Sequence, residues 1–133
     1  MIRYANENDI EIISKYDKHI SKEELKNIIE LQRVIVMFED SNFIGWLRYN
    51  LFWDNTPFMN MLYLLDNERG KGKGSKLVAF WENEMKNKKY DFVLTSTQSN
   101  EEAQFFYRKL GYIDSGSLLL PNEPLEIILY KKI

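Results

Sequence analysis

Cysteine is absent from this 133-residue chain, and histidine occurs once. Without thiols there is no disulfide framework, no thiol nucleophile and no Cys-ligated zinc or iron–sulfur centre, and one histidine excludes a His-rich metal site. No metal is therefore expected. Long apolar runs are also missing: none nears the ~20 residues that span a bilayer. The first residues, Met1-Ile2-Arg3-Tyr4-Ala5-Asn6-Glu7, lack the apolar centre of a signal peptide. Nor is there a basic excess. Eighteen Lys and Arg against 20 Asp and Glu leave a net charge of −2, which argues against holding nucleic acid by bulk charge. No repeat, low-complexity tract or linker interrupts the chain. The expectation is one soluble cytoplasmic domain over residues 1–133, with neither nucleic acid nor membrane as partner.

Apolar residues make up 44% of the chain and aromatics 14%, enough for a core. Ile10, Ile13 and Tyr16 follow Asn8-Asp9 at helical spacing. Ser21 with Glu24 reads as a capping box ahead of Leu25, Ile28 and Ile29. β-Branched and apolar runs over 34–38 and 43–50 flank the turn Glu39-Asp40-Ser41-Asn42 and read as a hairpin, and a further strand is expected over 58–65. Leu77, Trp81 and Met85 recur every four residues, the stripe of a helix lying on a sheet. A strand over 92–97 precedes a helix start at Ser99-Asn100-Glu101-Glu102, whose stripe of Ala103, Phe106, Tyr107 and Leu110 closes at Gly111. Strands over 112–120 and 125–130 surround Pro121-Asn122-Glu123-Pro124. With a short first strand over 2–5, the order is β-α-α-β-β-β-α-β-α-β-β, mixed α/β around one central sheet.

The most informative segment is Arg69-Gly70-Lys71-Gly72-Lys73-Gly74, between the apolar run 58–65 and an amphipathic stretch that opens at Ser75. A strand that turns into a helix through such a segment presents free backbone N–H groups at the helix's positive end. Glycines let a ligand approach that backbone, and Lys and Arg add charge. This chemistry suits a phosphate-bearing ligand, a pyrophosphate above all. Spacing removes three phosphate loops. Gly74 is followed by Ser75-Lys76, the reverse of a Walker A ending, and a dinucleotide fingerprint begun at Gly70 or Gly72 ends on Ser75 or Leu77 rather than glycine. A kinase glycine loop fails on the same spacing.

Arg-x-x-Gly-x-Gly does fit, as Arg69, Gly72 and Gly74. About thirty residues on stands Asn100-Glu101-Glu102-Ala103-Gln104-Phe105-Phe106-Tyr107-Arg108-Lys109-Leu110-Gly111-Tyr112. The second segment resembles the Asn-x-x-Ala-x-x-Phe-Tyr-x-Lys-Leu-Gly-Phe/Tyr signature of the GNAT superfamily of N-acetyltransferases, whose Arg/Gln-x-x-Gly-x-Gly loop holds the pyrophosphate of acetyl-coenzyme A. The resemblance covers residues 34–133 and implies a mixed, mostly antiparallel sheet flanked by helices. It also implies acetyl transfer from acetyl-CoA to a primary amine by direct attack.

By that resemblance the backbone across Arg69, Gly70, Lys71, Gly72, Lys73, Gly74 and Ser75 holds the pyrophosphate, with Lys71, Lys73 and Lys76 adding charge. The backbone at Leu62 and Leu64 would meet the acetyl carbonyl and the pantetheine arm; a free N–H at Leu62 would be an oxyanion donor worth about 3–4 kcal/mol. Both leucines read equally as ordinary strand core. Tyr107 would be the general acid for the departing thiolate, since a phenol of pKa about 10 stays protonated at neutral pH. It also falls on the apolar stripe and, without the motif, reads as core. Asn100 would contact the cofactor arm or simply cap the helix.

An alkylammonium of pKa about 10.4 is neutral in roughly one molecule in two thousand at pH 7, so a base is needed. The strand before the glycines carries no carboxylate, which leaves Asp54 or a water chain. The acceptor-facing segments implied by the family contain Asp17, His19, Trp53, Asp54 and Glu123. Their acidic members would attract a cationic amine. Arg48, on one strand face with Trp46, would favour a carboxylate-bearing acceptor instead. The acceptor stays open between small amine, amino acid and protein. A non-catalytic coenzyme A-binding domain is the alternative function, with O-acetyl transfer or a longer acyl group also allowed by the fold. The family also admits a homodimer.

Overall fold

A computed structural model describes all 133 residues, Met1 to Ile133. The chain runs β1 (Ile2–Tyr4), a 3₁₀ turn (Glu7–Asp9), α1 (Ile10–Tyr16), α2 (Lys22–Glu30), β2 (Val34–Glu39), β3 (Asn42–Phe52), β4 (Thr56–Leu64), a second 3₁₀ turn (Asp66–Glu68), α3 (Lys73–Asn87), β5 (Phe92–Gln98), α4 (Ala103–Lys109), β6 (Ile113–Leu118) and β7 (Glu126–Lys132). The seven strands order as β1-β2-β3-β4-β5-β7-β6. β4 and β5 run parallel, while β1–β2, β2–β3, β5–β7 and β7–β6 are antiparallel. The element order is the one expected from the sequence.

Boundaries shift where local chemistry is subtler than apolar pattern. α3 opens at Lys73 rather than Ser75, so Gly74 lies inside its first turn. α4 opens at Ala103, with Glu102 as an N-cap that makes no side-chain bond. Asn100 is therefore not a helix cap. Ser21 accepts a bond from the Glu24 N–H at 3.1 Å, but the reciprocal Glu24 contact is not made. The complete capping box lies elsewhere: Asn6 accepts from Asn8 N–H at 2.9 Å, and Asp9 Oδ2 accepts from Asn6 N–H at 2.8 Å. Gly111 closes α4 with φ +96, the left-handed cap expected of it.

Two compact units emerge, Met1–Asn50 with Met61–Trp81, and Leu51–Asn60 with Glu82–Ile133, so the division passes through β4 and α3. In the first unit, β2 pairs with β3 so that Val36 faces Trp46 and Val34 faces Arg48. Alternation puts Val34, Val36 and Trp46 on one face, where Ile13 of α1 and Leu25, Ile28 and Ile29 of α2 bury them. Tyr49 takes the opposite face and meets Trp81 of α3, ring centroids 5.9 Å apart. Gly45 of β3 has a reason to be glycine: a Cβ there would collide with the Tyr63 carbonyl oxygen of β4. In the second unit β5 pairs along its length with β7, Thr95 opposite Leu129 and Gln98 opposite Glu126. With β4 it pairs only at Phe58↔Leu94 and Met59↔Thr95. No helix is long and apolar enough to cross a membrane.

Candidate active site

The glycine segment lies in the first unit. After the Asp66–Glu68 turn, Arg69 is extended, and Gly70 and Gly72 take φ of +76 and +77. Nothing lies within 4 Å of where a Cβ would stand at either residue. These glycines are demanded by backbone conformation, not by crowding, and they leave the main chain open to a ligand just ahead of α3. That helix has no acidic residue in its first turn, so its positive end is not cancelled from within.

The basic side chains of this segment divide sharply. Arg69 Nε donates to the Leu64 carbonyl at 3.1 Å, and its guanidinium lies 4.8 Å above the Tyr63 ring. Lys71 is exposed, with Glu68 4.0 Å away. Lys73 is buried, and its Nζ lies 2.7 Å from Glu68 Oε2 and 3.3 Å from Glu39 Oε1. The Glu68 hydrogen bond raises the Lys73 pKa against the effect of burial, and the same bond lowers that of Glu68. The expectation that Lys73 supplies free charge to a pyrophosphate is thus corrected: two carboxylates already neutralise it. Ser75 is half-buried in the first turn of α3, and Leu62 and Leu64 are half-buried on β4.

In the second unit Tyr107 of α4 is buried, its ring 5.6 Å from that of Tyr112. Burial pushes the phenol up to about 12; the Glu101 carboxylate pushes the same way and a hydrogen bond with Thr95 opposes them. Thr95 Oγ1 donates to the Met59 carbonyl at 3.0 Å. Tyr112 donates to Glu82 Oε2 at 2.8 Å, and Lys131 Nζ lies 2.8 Å from Glu82 Oε1. Tyr107 is both a core side chain and a phenol held protonated, so the two readings of the sequence are not exclusive.

The acceptor candidates do not gather. Asp17 is buried and accepts from Arg48 Nε at 2.8 Å, Trp46 Nε1 at 3.0 Å and the His19 N–H at 3.1 Å. Burial alone would raise its carboxyl, but the Arg48 bond and charge, with the His19 and Trp46 bonds, hold it below the ordinary range. Neither expected charge is available: Asp17 and Arg48 cancel one another. His19 itself is exposed. Trp53 and Asp54 sit in the turn before β4, with Trp53 72% exposed. Glu123 lies beyond the end of β5, accepting from Gln98 Nε2 at 3.0 Å. Because β4 and β5 are parallel, Trp53-Asp54 and Glu123 stand at opposite ends of that pair, roughly 20 Å apart along the strands. One pocket cannot hold them all.

A match to the Acetyltransferase (GNAT) family extends over residues 5–112. The chain belongs to this family. Solved structures agree in fold. Ard1 from Thermoplasma volcanium superposes with a TM-score of 0.86 at 14% identity, covering 100% of this chain and 97% of that one. A GNAT-family acetyltransferase from Bacillus cereus gives 0.80 at 24% identity, with 99% and 96% covered. PaiA N-acetyltransferase from Thermoplasma acidophilum, in complex with coenzyme A, gives 0.81 at 21%, with 100% and 98% covered. No curated protein matches in sequence.

Three features of this GNAT chain escaped the sequence reading. Glu39 and Glu68 neutralise Lys73, Thr95 Oγ1 donates to the Met59 carbonyl, and Glu82 joins Tyr112 to Lys131. An Asp-rich or His-rich pattern could have been sought by composition. These pairings had no such signal, being isolated polar residues in apolar strands, helices or turns. No group of three or more His, Asp and Glu side chains is placed to hold a metal ion.

Proposed function

We propose that this GNAT chain is an acetyl-CoA-dependent N-acetyltransferase whose acceptor presents a primary amine. The observation that carries the reading is the pair of left-handed, unobstructed glycines, Gly70 and Gly72, leading into a 15-residue helix. Backbone N–H groups from Arg69 to Ser75 bind the pyrophosphate, and Lys71 and Lys76 bring the mobile charge. Lys73 shapes the loop from beneath instead. Leu64 and Asn100 contact the cofactor arm, and the Leu62 N–H faces the developing oxyanion.

The acceptor nitrogen attacks the thioester carbon, and the C–S bond breaks as the C–N bond forms. Tyr107 gives its proton to the departing sulfur. Its raised pKa keeps the phenol protonated throughout the physiological range, which an acid needs. β4 holds no carboxylate from Thr56 to Leu64, so the proton of the acceptor ammonium leaves through water. Glu123 and His19 remain as acceptor-side contacts. Asp54 and Trp53 are assigned no part in the same pocket as Glu123. The coenzyme A complex of the PaiA relative supports the choice of cofactor.

Acetyl transfer from acetyl-CoA over a panel of small amines, amino acids and peptide N-termini tests the reading, with Tyr107→Phe alongside. Turnover of at least one amine, reduced about 10²-fold or more by Tyr107→Phe, is expected. Coenzyme A binding without acetylation of any amine would favour a regulatory cofactor-binding domain. Binding that survives Gly72→Glu unchanged would remove the loop assignment.

A further inference from the structure

We propose that Gln98 is a positioning residue for Glu123. It holds that carboxylate as a fixed, uncancelled charge, and through it the enzyme selects acceptors by the charge they carry away from the reacting amine. The proposal rests on the acceptor-side role given to Glu123 above.

Gln98 is the last residue of β5, opposite Glu126 of β7. Its Nε2 donates to Glu123 Oε2 at 3.0 Å. A carboxylate only accepts, so the amide must turn its NH2 this way and its own oxygen away from Glu123. The main chain beneath is tied down. The Gln98 N–H donates to Glu101 Oε1 at 3.1 Å, the Glu101 N–H returns to the Gln98 carbonyl at 3.0 Å, and the Ser99 N–H donates to the Leu125 carbonyl at 2.8 Å. Glu123 is presented just as firmly. Its N–H reaches the Leu120 carbonyl at 3.4 Å across Pro121 and Asn122, the latter with φ +59. Proline followed by a left-handed residue is the type II turn pattern, and Pro124 restricts the backbone of Glu123 from the other side. Only the exposed Glu123 side chain still lacks a restraint, and Gln98 supplies it.

What Gln98 does not supply is charge. No Lys or Arg occurs from Phe92 to Tyr107 or from Leu110 to Tyr130. Asp114 is held by Arg108 at 2.9 Å and Glu82 by Lys131 at 2.8 Å. Glu123 has no such cation beside it, and its Oε1 meets no donor in the protein. Glu101 and Glu126, both against Gln98, add charge of the same sign. An arginine at this position would hold the carboxylate better and cancel it. A neutral amide holds it and leaves the charge. The nitrogen that attacks the thioester must be neutral, so the lasting partner of Glu123 is a second group on the acceptor, a cation in preference to a carboxylate.

Putrescine and γ-aminobutyrate are amines matched in length, with opposite charges at the far end. We expect wild type to favour putrescine by about tenfold in kcat/KM, with the preference fading as salt rises. Gln98→Leu should cut it to about threefold or less by raising the KM for putrescine, while the KM for acetyl-CoA stays within about twofold. If Gln98 only braced the fold, Gln98→Arg, the stronger donor to Glu123, would behave as wild type. The proposal expects the preference to vanish or reverse. In a Glu123→Gln background Gln98→Leu should change nothing further. A readout free of turnover accompanies this: the Gln98 side-chain NH2 protons, assigned in NMR spectra by their loss in Gln98→Leu. They should move when putrescine is added to the coenzyme A-loaded protein, move far less with γ-aminobutyrate, and answer to neither in Glu123→Gln. The proposal is overturned if wild type does not distinguish the two probes, if Gln98→Arg keeps the wild-type preference, or if Gln98→Leu acts equally without Glu123. If neither probe is acetylated, the amide protons decide: a response to putrescine upholds the fixed charge, and no response overturns it. Failure of the transferase reading shows separately, as no acetylation of any amine.

Discussion

Arg48 Nε lies 2.8 Å from Asp17 Oδ2 in an ion pair that joins the end of α1 to the middle of β3 and is almost wholly out of water. Asp17 also takes the Trp46 indole N–H, so one carboxylate organises two neighbouring side chains of the same strand face. Its energy goes into fixing the chain between α1 and α2, and it presents no net charge to an acceptor. Removing one partner leaves the other buried and alone. Asp17→Asn should therefore lower stability by about 3–5 kcal/mol, measured as a shift of the denaturant midpoint at unchanged slope. Arg48→Met added to it should cost much less than a second such loss, because the stranded cation is then gone.

The same pair sets a pH dependence. The Asp17 carboxyl is depressed in the folded state, and so is that of Asp9, which accepts from Arg3 at 2.8 and 3.0 Å. For a depressed carboxyl, the folded protein binds fewer protons than the unfolded one. The stabilisation is complete above the unfolded value of about 4 and is lost as pH falls through the folded value. Stability should therefore be level near neutrality and drop below about pH 4. The drop should be shallower in Asp17→Asn when both proteins are titrated by circular dichroism. An identical acid profile would show that Asp17 carries no depressed proton equilibrium.

Lys71 and Lys73 are two residues apart and should behave oppositely. Lys71 is exposed, whereas Lys73 is buried between Glu68 and Glu39. Lys71→Gln is expected to weaken coenzyme A binding by about threefold to tenfold at low salt, with the difference fading as salt rises. Lys73→Gln should lower the melting temperature and loosen the loop, and its effect on binding should not fade with salt. Calorimetric titration of coenzyme A at two ionic strengths separates them. The assignment fails if Lys73→Gln shows the stronger salt dependence.

Order and type of the elements were legible because they rest on local pattern: Val34, Val36 and Trp46 alternate, and Leu77, Trp81 and Met85 keep helical spacing. The glycines were legible too, since Gly70 and Gly72 need left-handed backbone and Gly111 caps α4. Charge was not. Lys73 and Glu39 are 34 residues apart, and Arg48 and Asp17 31, so only the fold pairs them. A basic residue in a phosphate-type loop looks available until its partner is seen. Thr95 was hidden differently, because a threonine in a β-branched run signals strand and nothing more.

Burial places the Tyr107 phenol at about 12, beyond the range in which the enzyme would be assayed. If it is the acid, activity cannot fall from its ionisation below about pH 10. An alkylamine acceptor, of pKa near 10.4 and used for this assay, gains about tenfold in its neutral form per pH unit. The profile of kcat/KM should therefore climb from pH 6 to 9.5 without an alkaline limb. A downturn near pH 9 that disappears in Tyr107→Phe would mean that the phenol titrates lower than its burial implies.

Trp53 and Asp54 occupy the centre of a tight turn closed by the Asn55 N–H on the Phe52 carbonyl at 3.2 Å, with φ of +56 and +65. Positive φ at both central positions is the type I′ pattern, which an Asn-Gly pair satisfies and a bulky aromatic does not. The ring finds little in return: it is mostly in solvent and touches Phe52, centroids 4.6 Å apart. The double substitution Trp53→Asn with Asp54→Gly should stabilise the protein by about 1–2 kcal/mol, seen as a rise in melting temperature of several degrees. Because this turn lies at the far end of the β4–β5 pair from Glu123, the KM for acceptor should not move with it. Glu123→Gln should change acceptor KM without that gain in stability. A large KM effect from the turn substitution, at unchanged kcat, would return Trp53 and Asp54 to the acceptor site and remove Glu123 from it.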